Sequence, residues 1–465
     1  MKSDLKNKIM MRVKNIHFIG IGGSGMSGIA SILSDLGYKV SGSDISSSKT
    51  TDLLKKKNIK ISIGHKKDNI LLKDVVVTSS AVKENNVEYQ YAKELNIPII
   101  KRAEMLAELM RFSYGIAVAG THGKTSTTSI LSHILNEANY DPTYIIGGKI
   151  INSSNAKLGT SDYLIAEADE SDASFLHLQP LMSVITNIDN DHLGTYQNKF
   201  ENLKQAYIDF AHQVPFYGTI FICADDHNIR NIIPKISRPI VTYGLSSKVD
   251  IQAINIKHQE NKINFKVIDK KYNHCEFDIT VNFPGDHFVR NTLAAISMAL
   301  EYRVSIKNIQ QALANFQGVS RRYEIYNNIV IKDKTIKVID DYGHHPTEIE
   351  AVIKATKKAF RNKKINFVFQ PHRFSRTRDC YEEFLRILKT PDRIFLFDIY
   401  PAGESKISGI STKALMKSLN HPAMHYLPNF KSAKRLIFDL IEDDSILIIM
   451  GAGSVGNFSQ NIIQQ

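Results

Sequence analysis

The chain has 465 residues, which is enough for about three domains of ordinary size. Apolar residues make up 43% of it and charged residues 23%, a globular composition that excludes a largely disordered or fibrous protein. The net charge of +12 comes without any nucleic-acid-binding motif, so we attribute it to surface lysines and expect no nucleic-acid partner.

Nothing in the sequence predicts a membrane or secreted protein. No apolar run approaches the roughly 20 residues that a membrane span needs, and the basic N-terminus lacks the apolar segment of a signal peptide. The three cysteines, Cys223, Cys275 and Cys380, are too far apart for a disulfide framework or a zinc cluster. We therefore expect a cytoplasmic protein, and the sequence leaves its oligomeric state open.

The first third of the chain alternates short apolar runs with helical patterns. Strands are expected at residues 16–19, 39–43 and 75–78, and a helix at 26–36. Such alternation predicts βαβ units and a parallel sheet.

A first glycine loop, Gly20 to Gly25, fits the pattern G-x-G-x-x-G between a strand and a helix, and Asp44 ends the next strand. Backbone N–H groups at such a helix start bind a pyrophosphate, and the carboxylate can accept hydrogen bonds from a ribose or base. The loop therefore predicts a diphosphate nucleotide and does not choose between NAD and a UDP sugar. A glycine turn that serves only tight packing is the alternative.

A second glycine loop, at residues 119–128, follows an expected strand (115–119) and precedes an expected helix (129–137). Gly120 and Gly123 let the backbone wrap phosphates, Lys124 can reach the β- and γ-phosphates, and Thr125 can hold Mg²⁺. The spacing is a shortened G-x-x-G-K-T, because Val118 stands where the longer motif has its first glycine. This loop predicts ATP.

Two further series of elements complete the chain. The second continues with strands at 163–166, 183–186 and 219–223, an alternating stretch near 263–267 typical of antiparallel strands, and a helix at 291–300. The third has strands at 336–339, 365–369, 394–397 and 446–449. We expect three α/β domains at 1–105, 106–320 and 321–465. Residues 451–456 repeat the first glycine pattern, and the sequence leaves open whether they form a structural turn or the edge of an active site.

A cationic group follows the expected strand 365–369. His372, Arg373 and Arg376 lie within five residues of one another. Because a guanidinium binds a carboxylate through two parallel hydrogen bonds, this group suits the α-carboxylate of an amino acid.

Eight blocks spread in order over nearly the whole chain resemble the Mur ligases. They are HFIGIGGSGMSGIA (17–30), AGTHGKTST (119–127), EADESDASF (167–175), TNIDNDH (186–192), FQGVSRR (316–322), DDYGHHPTEI (340–349), FQPHRFSRT (369–377) and YPAGE (400–404). The resemblance implies an N-terminal Rossmann-like UDP-binding domain, a central P-loop ATPase-like domain with a small antiparallel insertion, and a C-terminal Rossmann-like domain.

Within the family, the blocks look most like those of members that join L-alanine to the lactyl carboxylate of UDP-N-acetylmuramate. The resemblance implies that ATP first converts this carboxylate into an acyl phosphate, which the amine then attacks, as a step of peptidoglycan precursor synthesis. Two alternatives remain. One is a member that attaches a recycled tripeptide to the same sugar nucleotide, and the other, suggested by the first glycine loop alone, is a nicotinamide-dependent dehydrogenase.

The resemblance also implies the residues of the site. The metal ligands, for Mg²⁺ or Mn²⁺, are Thr125, Glu167 and His192, and the catalytic residues are Lys124, His192, Glu167, Arg373 and Arg376. The residues expected to bind ATP are Gly120, Thr121, His122, Gly123, Lys124, Thr125, Ser126, Asn291, Arg322 and Asp341. The residues expected to bind the UDP sugar are Gly22, Gly23, Ser24, Gly25, Met26, Asp44, His65, Ser79 and Ser80. The residues expected to bind the amino acid are Tyr342, His372, Arg373 and Arg376.

Overall fold

The computed structural model describes residues 10, 12–79, 81–148, 150–151 and 154–464. The chain forms two compact units. The first comprises Met1–Ile254, Lys266–Ile279 and Arg290–Gln317, and the second comprises Asn255–Phe265, Thr280–Val289 and Gly318–Gln465. Within the described residues, no helix combines the length and the apolar character that crossing a bilayer requires.

The N-terminal sheet lies in the first unit and has five parallel strands in the order β3-β2-β1-β4-β5. The strands are β1 (Asn15–Ile19), β2 (Lys39–Asp44), β3 (Lys60–Ile63), β4 (Val75–Thr78) and β5 (Ile99–Lys101). The helices are α1 (Ser24–Asp35), α2 (Lys49–Lys56), α3 (Val87–Glu94) and α4 (Arg102–Arg111). The expected strands in β1, β2 and β4 are confirmed, and the sequence analysis missed the short strands β3 and β5.

The central sheet has ten strands in the order β15-β14-β13-β12-β11-β10-β6-β9-β7-β8. Its strands are β6 (Tyr114–Ala119), β7 (Thr143–Ile145), β8 (Ala156–Lys157), β9 (Tyr163–Glu167), β10 (Met182–Ile185), β11 (Thr219–Cys223), β12 (Ile240–Gly244), β13 (Ile251–His258), β14 (Ile263–Asp269) and β15 (Cys275–Val281). The helices are α5 (Lys124–Glu137), α6 (Phe200–Gln213), α7 (His227–Ile232), α8 (Asp286–Glu301) and α9 (Ile306–Asn315). Strand β6 pairs in parallel with β10 and β9, so the loop that follows β6 leaves the middle of the sheet.

Helix α5 begins five residues before the expected start at Ser129. Its first two turns carry a run of Ser and Thr that hides the helical period. The structure shows why these residues fit a helix. The hydroxyls of Thr128 and Ser129 donate to the carbonyls of Lys124 and Thr125, one turn back, at 2.9 and 2.7 Å.

The C-terminal sheet lies in the second unit and has six strands in the order β16-β17-β21-β18-β19-β20. The strands are β16 (Glu324–Ile331), β17 (Lys334–Asp341), β18 (Ile365–Phe369), β19 (Arg393–Phe397), β20 (Met424–Leu427) and β21 (Ile446–Met450). The helices are α10 (Pro346–Ala359), α11 (Phe374–Asp379), α12 (Tyr381–Ile387), α13 (Thr412–Leu419), α14 (Phe430–Leu440) and α15 (Val455–Ile463). Only the pair β16–β17 is antiparallel; the other pairs are parallel.

The register of this sheet determines which loops meet. Met450, the last residue of β21, pairs with Asp341 on one side and with Phe369 on the other. The three strands therefore end at the same level, and the residues that follow them share one edge of the sheet. In a parallel α/β sheet this carboxyl edge is where ligands bind.

Candidate active site

The phosphate loop between β6 and α5 has a shape that only glycine permits at two positions. Gly120 has φ +133°, and a Cβ there would lie 1.9 Å from the Thr186 hydroxyl oxygen. Gly123 has φ +85° and caps helix α5. The loop is held from the side by the residues after β10, because the backbone N–H of His122 donates to Asn187 Oδ1 at 2.8 Å and its carbonyl accepts from the Thr186 hydroxyl at 2.6 Å. The loop is thus rigidly formed.

Lys124 is held at this loop by a buried ion pair that the sequence analysis did not predict. Its Nζ donates to Glu170 Oε2 at 2.6 Å and to the Gly120 carbonyl at 2.6 Å. Burial by itself would lower the Lys124 pKa, but the carboxylates of Glu170, Asp169 and Glu167 raise it, so the ammonium stays charged. Burial raises the pKa of Glu170 to about 7, against the opposing effect of Lys124.

Thr125 and Glu167, two of the expected metal ligands, lie together at the start of α5 and the end of β9. The Thr125 hydroxyl donates to Glu167 Oε2 at 3.1 Å, and the backbone N–H of Gly147 donates to Glu167 Oε1 at 2.6 Å. His192 follows β10 in a left-handed conformation with φ +58°, and its Nε2 lies 3.5 Å from Asp191 Oδ2. A hydroxyl and a carboxylate are thus available at the start of α5, whereas His192 contacts Asp191 within its own turn after β10.

Asn291, on helix α8, lies directly above the phosphate loop. A Cβ on Gly123 would lie 2.5 Å from Asn291 Oδ1. The residue is 7% exposed. Two further loop residues are fixed: Thr121 Oγ1 accepts from the Asp189 N–H at 2.9 Å, and Ser126 is buried. The expected nucleotide residues of the first unit therefore converge on one loop.

The first glycine loop follows β1 and is tied to β2. The Asp44 carboxylate accepts from the Gly22 N–H at 2.8 Å, while the carbonyl of Ser43 accepts from the N–H groups of Gly20 and Ile21 at 2.8 and 3.0 Å. Asp44 therefore lies at the loop, as expected. Its carboxylate accepts a hydrogen bond from a backbone amide of the loop itself.

Most of the other residues expected to bind the UDP sugar lie in or beside the first glycine loop. Met26 is buried, and Ser79 lies near Gly20, where a Cβ would be 3.7 Å from the Ser79 hydroxyl oxygen. Gly23 and Gly25 belong to the loop and to helix α1. Ser80 lies outside the described residues.

A buried carboxylate, Glu88, stands behind the carboxyl edge of the N-terminal sheet and was missed from the sequence. Its Oε2 accepts from the Ser43 hydroxyl at 2.5 Å and lies 3.1 Å from His65 Nδ1. Its Oε1 accepts from the Asn69 amide at 2.5 Å. Burial by itself would raise the Glu88 pKa, but the neighbouring His17, Asn69 and Ser43 outweigh it and hold the pKa at about 2.

In the second unit, four aromatic side chains line the carboxyl edge of the C-terminal sheet. The ring centroids of Tyr342 and His344 are 5.9 Å apart, those of His344 and His372 are 5.4 Å apart, and Tyr400 stacks on His372 at 5.5 Å. Tyr342 and His372 were predicted from the sequence, whereas Tyr400 was not given a role. These rings form one continuous surface.

The two predicted arginines lie beside this surface. Arg376 is buried, and its guanidinium donates to the His372 carbonyl at 3.3 Å. Arg373 is exposed, has φ +72°, and donates its backbone N–H to the Tyr400 carbonyl at 2.8 Å. The Glu404 carboxylate accepts a hydrogen bond from the Ser375 hydroxyl at 2.6 Å. This contact fixes the start of α11, the helix that carries Arg376.

Arg322 and Asp341 lie at the same edge. The Arg322 guanidinium is 5.2 Å from the centre of the Tyr342 ring. The Asp341 carboxylate is buried and accepts from the backbone N–H groups of Tyr323 and Gly343 at 2.7 and 2.6 Å. Burial raises the pKa of Asp341 to about 6, although Arg322 and the two N–H groups oppose the shift.

The repeated glycine pattern at 451–456 also belongs to this edge. Gly451 has φ +144° and donates its N–H to the Asp341 carbonyl at 3.2 Å, and a Cβ on Gly453 would lie 2.6 Å from the Tyr400 ring. The Gly451 carbonyl accepts from Arg321 at 2.7 Å. Of the two interpretations left open, the structure favours the edge of the candidate site.

Comparisons with known proteins assign the chain to a family. Three family models match the chain in order: the catalytic domain of the Mur ligase family over residues 15–114, the Mur ligase middle domain over 118–299, and the Mur ligase glutamate ligase domain over 321–453. The chain belongs to the Mur ligase family. It has the three-domain α/β architecture expected for that family.

Several Mur ligases are similar over the full length. A UDP-N-acetylmuramate–L-alanine ligase of Vesicomyosocius okutanii is 51% identical over 459 residues, 97% of each chain. One of Hydrogenovibrio crunogenus is 49% identical over 458 residues, 98% of this chain and 99% of that one. The crystal structure of the UDP-N-acetylmuramate–alanine ligase MurC of Thermotoga maritima matches with a TM-score of 0.81 at 27% identity, covering 97% of this chain and 98% of that chain.

Proposed function

We propose that the chain joins L-alanine to the lactyl carboxylate of UDP-N-acetylmuramate at the expense of ATP, giving UDP-N-acetylmuramoyl-L-alanine, ADP and phosphate. The observation that carries this proposal is the likeness, at about half identity and over at least 97% of the chain, to ligases named for that reaction. The reaction supplies the first amino acid of the peptidoglycan stem peptide. It therefore serves cell-wall synthesis, and we place it in the cytoplasm.

The first step needs charge stabilisation at the γ-phosphate of ATP. The lactyl carboxylate attacks the γ-phosphorus, the bond to ADP breaks, and an acyl phosphate forms. Lys124 is charged and fixed at the loop by Glu170, so its ammonium is held where it can neutralise charge on the phosphate. Asn291 lies above the same loop, where we assign it to the adenine base.

A divalent cation fits the donors near the loop. The Thr125 hydroxyl and the Glu167 carboxylate are within 3.1 Å of each other, and oxygen donors of this kind suit Mg²⁺ or Mn²⁺. Together with His192 they would hold the ion, which when bound neutralises charge on the phosphates. We assign the remaining loop residues, Gly120 to Gly123 and Ser126, to the phosphates.

The second step is attack of the neutral amine of L-alanine on the acyl carbon, with release of phosphate. We assign Arg373, Arg376, His372 and Tyr342 to the amino acid, since guanidinium groups beside an aromatic surface can bind its carboxylate. Arg322 and Asp341 are assigned to ATP.

The sugar nucleotide has its own loop. Gly22 to Met26, Asp44, His65, Ser79 and Ser80 are assigned to it, because the loop leads into the start of helix α1, and a helix start is where a diphosphate binds. The domain limits proposed with these assignments are 1–105, 106–320 and 321–465.

The test is phosphate release by purified protein with ATP, Mg²⁺ and UDP-N-acetylmuramate, with and without L-alanine. Alanine-dependent release that gives the alanyl product in mass spectrometry and disappears in Lys124→Ala supports the proposal. Release with a stem tripeptide but not with alanine moves the chain to the recycling branch. No release with either amine, together with NAD binding, favours a dehydrogenase.

A further inference from the structure

Glu88 sits at the centre of a buried hydrogen-bond network in the N-terminal sheet. It is fully buried, and donors from three separate segments reach its carboxylate. They are the hydroxyl of Ser43 on β2, the ring of His65 and the backbone N–H of Lys66 after β3, and the amide of Asn69. The ring of His17 on β1 lies nearby, with its Nε2 3.6 Å from Glu88 Oε2, beyond hydrogen-bond distance. The donors are hydroxyl, amide and imidazole groups, so the carboxylate is bound by a fixed geometry rather than by a mobile lysine.

This network reaches the first glycine loop through a single residue. Ser43 donates its hydroxyl to Glu88, and its backbone carbonyl accepts from both Gly20 and Ile21. The carbonyl of Asp44, the next residue of β2, accepts from the N–H of Gly64, the residue before His65, at 2.8 Å. Movement of the Glu88 carboxylate would therefore shift the loop and His65 together.

The network also decides which nitrogen of His65 is available to a ligand. Its Nδ1 faces two acceptors, Glu88 Oε2 at 3.1 Å and the Ser43 hydroxyl oxygen at 3.1 Å, so the proton belongs on Nδ1. Nε2 contacts no polar atom among the described residues, and the side chain is 18% exposed. In this tautomer His65 offers an acceptor at Nε2 to solvent, which suits an N–H or O–H donor such as the uracil imide or a ribose hydroxyl.

We propose that Glu88 is a positioning residue for the uridine half of the sugar nucleotide, because it fixes the tautomer of His65 and braces Ser43 beneath the first glycine loop. The inference rests on the proposed function, since it takes a uridine diphosphate as the ligand of this loop. Glu88 does not touch the ligand itself.

The test combines the variant Glu88→Gln with an exposed control on the same helix, Glu94→Gln. UDP is titrated calorimetrically without ATP or alanine, and the KM of each substrate is measured. Glu88→Gln should weaken UDP binding and raise the KM for the sugar nucleotide by about tenfold, with kcat and the KM for ATP unchanged. Glu94→Gln should match the wild type. Equal loss in all three KM values would mean a merely structural role and overturn the proposal.

Two further measurements sharpen the test, and the second, made on the wild type, stays decisive even where Glu88→Gln folds poorly. In the double variant with His65→Ala, the change at Glu88 should add little to the loss from His65 alone; full additivity contradicts the proposal. In the wild type, nitrogen NMR should show the His65 proton on Nδ1, and a proton on Nε2 overturns it. If the wild type fails to bind UDP, the proposed function fails with it, whereas wild-type UDP binding that Glu88→Gln leaves intact overturns this inference alone.

Discussion

Lys124 Nζ and Glu170 Oε2 are 2.6 Å apart, in a pair where the two side chains are only 16% and 2% exposed. A buried pair of this kind adds little stability in itself, but losing one partner leaves an uncompensated charge in the interior. The lysine that we assign to the phosphates is therefore coupled to the stability of the central domain through Glu170.

We predict that Lys124→Met lowers alanine-dependent phosphate release by at least about a hundredfold, since it removes the charge that faces the γ-phosphate. It should also destabilise the protein by about 3–5 kcal/mol, the usual cost of an orphaned buried charge. Phosphate release and chemical unfolding measure the two effects. Without Lys124 to oppose the effect of burial, the Glu170 pKa rises further. The Glu170 carboxyl then holds its proton more tightly in the folded state than in the unfolded state. The destabilisation should therefore grow as the pH rises and this proton is lost.

The double variant Lys124→Met/Glu170→Gln separates the two effects. Removing the carboxylate removes the orphaned charge, so most of the lost stability should return while phosphate release stays as low as in Lys124→Met. A double variant no more stable than Lys124→Met would show that the ion pair is not the cause of the destabilisation.

Gly123→Ala should impair ATP binding, because the position has φ +85° and the new Cβ would meet the Asn291 amide at 2.5 Å. A left-handed alanine costs about 1–2 kcal/mol, which corresponds to about a tenfold rise in the KM for ATP. Gly194→Ala is the matched control, since a Cβ there meets no atom within 4 Å. Equal KM values for the two variants would contradict the prediction.

The motifs predicted the candidate site wherever its residues are close in sequence. Gly120 to Thr125 form one loop and the start of one helix, so their spacing alone predicts a phosphate site. Glu170 is 46 residues from Lys124, and Glu88 is 45 residues from Ser43. Helical and strand periodicities relate only residues that are close in sequence. They therefore could not predict that these two carboxylates contact Lys124 and Ser43, and the folded structure was needed to show it.

The same limit applies to the fold. Alternating apolar runs and helical patterns predicted three α/β domains, and this fold class is confirmed. Strands β7 and β8 were missed because three and two residues are too short for a period to show. The assigned roles of the site residues remain predictions.

Arg376→Lys should raise the KM for alanine by about tenfold or more while leaving the KM for ATP unchanged. Lysine keeps the charge but loses the planar fork that can hold a carboxylate with two hydrogen bonds. The control is Arg378→Lys on the same helix, an exposed residue paired with its neighbour Asp379 at 2.7 Å. Steady-state kinetics with each substrate varied in turn distinguishes the two. A rise in the KM for ATP of equal size would indicate damage to the fold rather than to an amino-acid site.

Asp341 should make the second unit less stable as the pH rises through the range from about 4 to 6. Its pKa of about 6 in the folded chain lies above the ordinary value of 3.8, chiefly because the group is buried. The folded state therefore holds the proton more tightly than the unfolded state. The stability that this proton brings is complete below about pH 4 and is lost as the pH rises through about 6. The full shift corresponds to at most about 3 kcal/mol.

Carbon NMR of the labelled carboxyl group measures this directly, and the Asp341 resonance should titrate near pH 6. In Asp341→Asn, the free energy of unfolding should lose this part of its pH dependence, whereas Asp333→Asn, at an exposed turn after β16, should keep it. A resonance that titrates near pH 4 would show that the N–H groups of Tyr323 and Gly343 outweigh burial.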